Sequence, residues 1–158
     1  MKPGTFTQIY VQIVFAVKNR EALLHSSFRE RIFEYMGGIL TEMKHKSLIV
    51  NGMPDHVHML IGLNPNISIS ETVHSVKRST SLLINNEKLC RVKFAWQEGY
   101  GAFTYGRSQL NDVYHYVKNQ EKHHKRLSFK EEYVAFLKKF EVDYDERFLF
   151  DFFDEETL

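Results

Sequence analysis

Three Ser-x-x-Glu boxes, opening at Ser27, Ser68 and Ser128, punctuate the chain and leave strand-like sequence between them. In such a box the serine side chain accepts from an amide three residues on while the glutamate reaches back, so each box predicts a helix start. Behind Ser27 come Ile32, Met36, Ile39, Leu40 and Met43 at helical spacing; behind Ser68 come Val73, Val76, Leu83 and Ile84, until Asn85-Asn86 ends the run. Behind Ser128 the apolar positions are Tyr133, Phe136, Leu137 and Phe140. Residues 6–17 are rich in β-branched and aromatic side chains and read as one long strand that ends at the basic turn Lys18-Asn19-Arg20. Residues 47–53 and 56–63, split by Pro54-Asp55, read as a strand, a tight turn and a strand. Residues 92–96 and 100–105 read as one or two further strands, after which Ser108 is expected to cap a helix carrying Leu110, Val113 and Val117 that runs to about His124.

The order is β-α-β-β-α-β with further helices, so the expected class is α+β: a ferredoxin-like split βαβ sheet with an added C-terminal helix and a terminal helix after it. At 158 residues and 43% hydrophobic content, one ordinary core is expected, with a single domain over residues 1–140 and an acidic tail over 141–158. Residues 1–140 hold 20 Lys and Arg against 12 Asp and Glu, whereas residues 141–158 hold one Arg against eight acids. A basic body fits a polyanion-binding surface whose field the tail trims; a solvated tail without a partner fits equally well. The longest apolar stretch, residues 9–17, is interrupted by Gln12 and is far shorter than the roughly 20 residues of a membrane helix, so no membrane span is expected. Met1-Lys2-Pro3-Gly4 leads straight into strand-like sequence without an apolar signal core, which points to the cytoplasm. Cys90 stands alone, which rules out an internal disulfide or a cysteine zinc cluster and leaves histidine and oxygen ligands for any metal.

His56-Val57-His58 lies within a predicted strand, where alternate side chains share a face, so both imidazoles can reach one metal ion. On spacing alone the pair is equally two stacked surface histidines; its setting on an otherwise apolar strand is what calls for a reason. Further on, Tyr116 and Gln120 stand one turn apart beside the stripe of Leu110, Val113 and Val117 and would present a phenol and an amide oxygen together. The amide oxygen can complete a His-His-O set suited to Mg²⁺ or Mn²⁺, and such an ion would polarise a phosphodiester oxygen. Most helical tyrosines are packing residues, however, and a phenol needs a metal or a base to act as nucleophile.

These segments together resemble the small HUH single-tyrosine transposases of insertion sequences that move as single-stranded DNA, and their REP-associated relatives. The resemblance covers roughly residues 6–124 and takes in Val14-Phe15-Ala16-Val17-Lys18-Asn19-Arg20, Asn51-Gly52-Met53-Pro54-Asp55-His56-Val57-His58, Ser75-Val76-Lys77-Arg78-Ser79 and Phe94-Ala95-Trp96-Gln97-Glu98-Gly99-Tyr100. It implies that His56, His58 and Gln120 bind a divalent ion, Mg²⁺ or Mn²⁺. It further implies that Tyr116 attacks a phosphodiester in hairpin-bearing single-stranded DNA, forming a 5′-phosphotyrosine link and freeing a 3′-hydroxyl. A homodimer whose subunits share active sites is also implied. The final helix and the acidic tail carry no motif that transfers.

Tyr114 and Asn119 are the local competitors of Tyr116 and Gln120. For DNA contact the best basic residues are Lys18, Arg20, Lys77 and Arg78, with Arg91 and Lys93 next, and Phe103 and Tyr105 could serve as stacking platforms. His123 and His124, among Lys122, Lys125 and Arg126, fit phosphate contact or solvation better than metal binding. Two other readings stay open: a domesticated relative that binds hairpin DNA or RNA without cutting, and a metal-dependent hydrolase that uses water.

Overall fold

The structure, a computed structural model, describes residues 3–124 and 128–145. Lys125, Arg126, the His123 side chain and the part of the acidic tail from Glu146 onward lie outside the described residues. The strands are β1 (Tyr10–Ala16), β2 (Lys46–Met53), β3 (His56–Gly62) and β4 (Gly101–Tyr105); the helices are α1 (Arg29–Glu42), α2 (Ile69–Asn86), α3 (Leu110–Lys118), α4 (Gln120–His124) and α5 (Phe129–Lys139). The four-stranded sheet runs β2-β3-β1-β4, and every neighbouring pair is antiparallel. This is the ferredoxin-like order expected from the β-α-β-β-α-β pattern.

The register decides which residues share a face. Val14 lies opposite His58 and Ala16 opposite His56, so β1 and β3 send Gln12, Val14, Ala16, His56, His58 and Leu60 one way. The other set, Val11, Ile13, Phe15, Val57, Met59 and Ile61, packs against Ile32, Met36 and Leu40 of α1 and Val73, Val76 and Ile84 of α2. The polar-bearing face is covered by α3 and α5. Val113 and Val117 pack on Leu60, while Phe129, Tyr133 and Leu137 pack on Val14, Ala16 and Phe103.

Ser68 and Ser128 accept from the amides of Glu71 and Glu131, as the boxes predict. Ser27 does not. Helix α1 starts at Arg29 with Phe28 before it, and the His25 carbonyl accepts from the amides of Phe28 and Arg29. Phe28 is buried in the core, and burying its ring outweighs the modest gain of a serine cap. Residues 92–96 form no strand beyond a bridge between Val17 and Trp96, because the Asn85 amide takes both backbone groups of Phe94 that a ladder would use.

The helix expected from Ser108 to about His124 is broken. A 3₁₀ turn over Arg107–Gln109 starts it without a serine cap, and it stops at Lys118. The Asn51 side chain on β2 donates to the carbonyls of Val117 and Lys118 at 3.0 and 3.1 Å, which a continuous helix would offer to the amides of Glu121 and Lys122. Lys122 turns instead to Asn119. The break tips α4 onto the sheet and carries Gln120 inward, where it is fully buried.

Among the described residues, no helix is long and apolar enough to cross a membrane.

Candidate functional site

His56 and His58 project from β3 into the polar centre of the covered face, both fully buried. Each is oriented through Nδ1. His56 faces the Asp55 carboxylate at 2.7 Å, and His58 faces Gln12 Oε1 at 2.7 Å. The Gln12 amide is fixed in turn, since its Nε2 donates to the Tyr105 hydroxyl at 2.8 Å. Burial alone would raise the Asp55 carboxyl, but the hydrogen bond and charge of His56 and the charge of Arg20 hold it below its ordinary value. With both Nδ1 atoms committed to acceptors, both Nε2 atoms point to the centre, an arrangement that prepares imidazoles for a metal.

Three further groups meet them there. Gln120 Oε1 from α4 lies 3.3 Å from His56 Nε2. Glu132 Oε1 from α5 lies 2.9 Å from His58 Nε2 and 3.7 Å from His56 Nε2. His124 Nε2 lies 3.1 Å from Gln120 Oε1 and 3.3 Å from Glu132 Oε2. Ligand atoms of His56, His58 and Glu132 fall within 4.8 Å of one another, all buried. Burial would raise the Glu132 carboxyl, but hydrogen bonds from His124 and His58 and the charges of His58 and His56 hold it well below the carboxylate range. For His58, burial outweighs the pull of Glu132 and lowers the imidazole.

The donor set therefore fits a cation. His58 Nε2, a buried Glu132 carboxylate oxygen and the Gln120 oxygen converge on one point beside His56 Nε2. A cation placed there would have all of these groups as ligands. Two imidazoles, an amide oxygen and a carboxylate form a mixed nitrogen and oxygen set for a divalent ion.

The phenol of Tyr116, half-buried on α3, donates to Glu132 Oε2. Burial first, and then the Glu132 charge and hydrogen bond, push its ionisation above the ordinary phenol value. Tyr114 is exposed, and its ring meets His115 rather than the site. Asn119 is the break between the helices, while Gln120 reaches the centre. Tyr116, Gln120 and the histidine pair thus meet within one chain.

Glu132 escaped the sequence reading, which gave α5 no part in the chemistry. Its signal was of the kind that drew notice to the histidines. It stands among Phe129, Tyr133 and Phe136 on an otherwise apolar helix face, where a carboxylate needs a partner. Phe129 of the same helix stacks on His56, with ring centroids 4.0 Å apart.

The basic residues divide. Lys18 and Arg78 are exposed. Arg20 reaches Asp55 at 3.6 Å, behind His56. Lys77 donates to the carbonyls of Gln97 and Gly99 at 2.7 and 2.6 Å, tying down that loop, and burial lowers its ammonium to about 8. Phe103 is no platform for stacking, because it is buried against Phe136 and Phe140.

Residues 5–120 match the profile of the family described as "Transposase IS200 like". Among solved structures, the chain is similar to a candidate transposase from Deinococcus radiodurans R1, at 19% identity and TM-score 0.59 over 76% of this chain and 96% of that one. It is also similar to a REP-associated tyrosine transposase bound to a REP hairpin, at 13% identity and TM-score 0.54 over 80% of this chain and 74% of that one. No curated protein matches the chain.

Proposed function

Because the chain belongs to the IS200-like transposase family, we propose that it cleaves and rejoins single-stranded DNA at hairpin-marked element ends through a 5′-phosphotyrosine at Tyr116, assisted by Mg²⁺ or Mn²⁺. The observation that carries this reading is the meeting of one phenol with two Nε2-directed imidazoles, an amide oxygen and a carboxylate in one buried centre. His56, His58, Gln120 and Glu132 would hold the ion. Bound there, it supplies positive charge that polarises a phosphodiester oxygen and offsets the carboxylate.

The chain's own residues do the rest. Glu132 orients the Tyr116 oxygen, and as the phenol attacks phosphorus its proton passes to the departing 3′-oxygen. The bond to the 3′-oxygen breaks, leaving a free 3′-hydroxyl, and attack by another 3′-hydroxyl on the phosphotyrosine reverses the step and joins strands. Asp55, backed by Arg20, and Gln12, backed by Tyr105, keep the imidazoles aimed. Lys18 and Arg78 contribute phosphate contacts, Arg20 acts from behind the metal ligands, and Lys77 acts through the loop it fastens. The hairpin in the REP-associated relative is the basis for proposing a hairpin here. A homodimer whose subunits share active sites on DNA remains part of the reading.

The test is incubation with Mn²⁺ and hairpin-bearing single-stranded DNA, read on a denaturing gel. Wild type and Tyr114→Phe should form a covalent adduct that Tyr116→Phe lacks while still binding the DNA. Cutting by Tyr116→Phe at the wild-type rate would move the chemistry to water; binding without any cutting by wild type would favour the domesticated reading.

A further inference from the structure

We propose that the cleft between α3 and α5 is a nucleotide subsite that seats the base flanking the scissile phosphodiester; this rests on the strand-transfer reading above. The cleft has a volume of about 360 Å³, at the small end of ligand pockets and sufficient for one base with part of its sugar. One wall is the Tyr116 face of α3, and the other is the Ala135 and Phe136 face of α5. An occupant therefore lies beside the nucleophilic oxygen. The aromatic walls are held in place: Phe136 meets Tyr116 edge-on at 5.7 Å between ring centroids and stacks on Phe103 at 5.3 Å. Such rings suit a base face, which stacks without regard to sequence.

Polar groups in the cleft match a nucleotide as well. The Tyr105 hydroxyl, on the floor, accepts from Gln12, and among the described residues its own hydrogen has no acceptor, which leaves a donor for a base carbonyl. Lys139 and Asp112, both exposed, stand on the two helices at the cleft. The ammonium suits the phosphate on the strand, and the carboxylate suits an exocyclic amino group. The profile match ends at residue 120, so the α5 wall is a feature of this chain outside the matched region.

The test uses the full chain with Mg²⁺ and alanine methyl labelling. On addition of a hairpin-free deoxytetranucleotide, the Ala135 methyl resonance should move while that of Ala16, buried behind α5, stays put. Ala135→Trp fills the cleft from an exposed position, and Lys139→Glu reverses its charge. Each should raise the concentration of hairpin-bearing strand giving half-maximal adduct, the first by roughly tenfold and the second by less. An unmoved Ala135 signal, or wild-type half-maximal concentrations in both variants, overturns the subsite. A moving signal with no adduct in wild type keeps the subsite and removes the strand-transfer reading. Adduct formation with no Ala135 response does the reverse.

Discussion

The two faces of the sheet come from the same strands yet obey different rules. On the α1/α2 side, β1 and β3 contribute Val11, Ile13, Phe15, Val57, Met59 and Ile61, all buried and all apolar. On the α3/α5 side the alternate residues include Gln12, His56 and His58, flanked by two smaller apolar clusters and closed over by Glu132. The first face gains stability from burial in proportion to area. The second spends part of that gain on buried polar groups that need one another, and small Val14 and Ala16 opposite the histidines leave room for them. Folding and chemistry are thus separated by a single residue of register along β3.

The largest expected effect on folding lies on the apolar face. Phe15→Ala should cost about 3–5 kcal/mol in denaturant unfolding, because the ring is fully buried and meets Trp96 edge-on. Its Mn²⁺ affinity under folding conditions should match wild type. His58→Ala should behave the other way. A metal-free cost of about 1–3 kcal/mol comes from stranding Gln12 and Glu132, whereas Mn²⁺ affinity by titration calorimetry should fall at least about 100-fold. If His58→Ala destabilised as much as Phe15→Ala and left Mn²⁺ binding intact, the division between the faces would be wrong.

Acid should expose the same division on a smaller scale. His58 is lowered from its ordinary 6.5 and Glu132 from its ordinary 4.5. A group depressed on folding contributes stability above its unfolded value and loses it as pH falls, because the unfolded chain then binds more protons. Metal-free stability should therefore decline below about pH 6.5 and more steeply below about pH 4.5, as followed by urea midpoints. Phe15→Ala should shift that curve down without altering its shape, and His58→Ala should flatten the first part. Mn²⁺ at pH 7 should stabilise wild type and leave His58→Ala unmoved.

Much of this was legible in the sequence because it is written in local periodicity. The strand order, the Ser68 and Ser128 caps and the shared face of His56 and His58 follow from spacing alone. Features decided by contacts between distant segments were not legible. Ser27 lost its cap to the burial of Phe28, and Asn51 broke the third helix by capturing the carbonyls of Val117 and Lys118. Asn85 took the hydrogen bonds that a strand over residues 92–96 would have used. Glu132 stands 74 residues from His58 in sequence. Its place at the centre depends on α5 folding back over the sheet, which no spacing rule encodes.

Anomalous diffraction at the manganese edge, from crystals of the full chain grown with Mn²⁺, tests the account most directly. One peak should lie roughly 2.0–2.3 Å from His56 Nε2 and His58 Nε2, with oxygens of Gln120 and Glu132 in its coordination sphere and the Tyr116 oxygen beside it. A peak elsewhere, or none with His58 still hydrogen-bonded to Glu132 at saturating Mn²⁺, would contradict it.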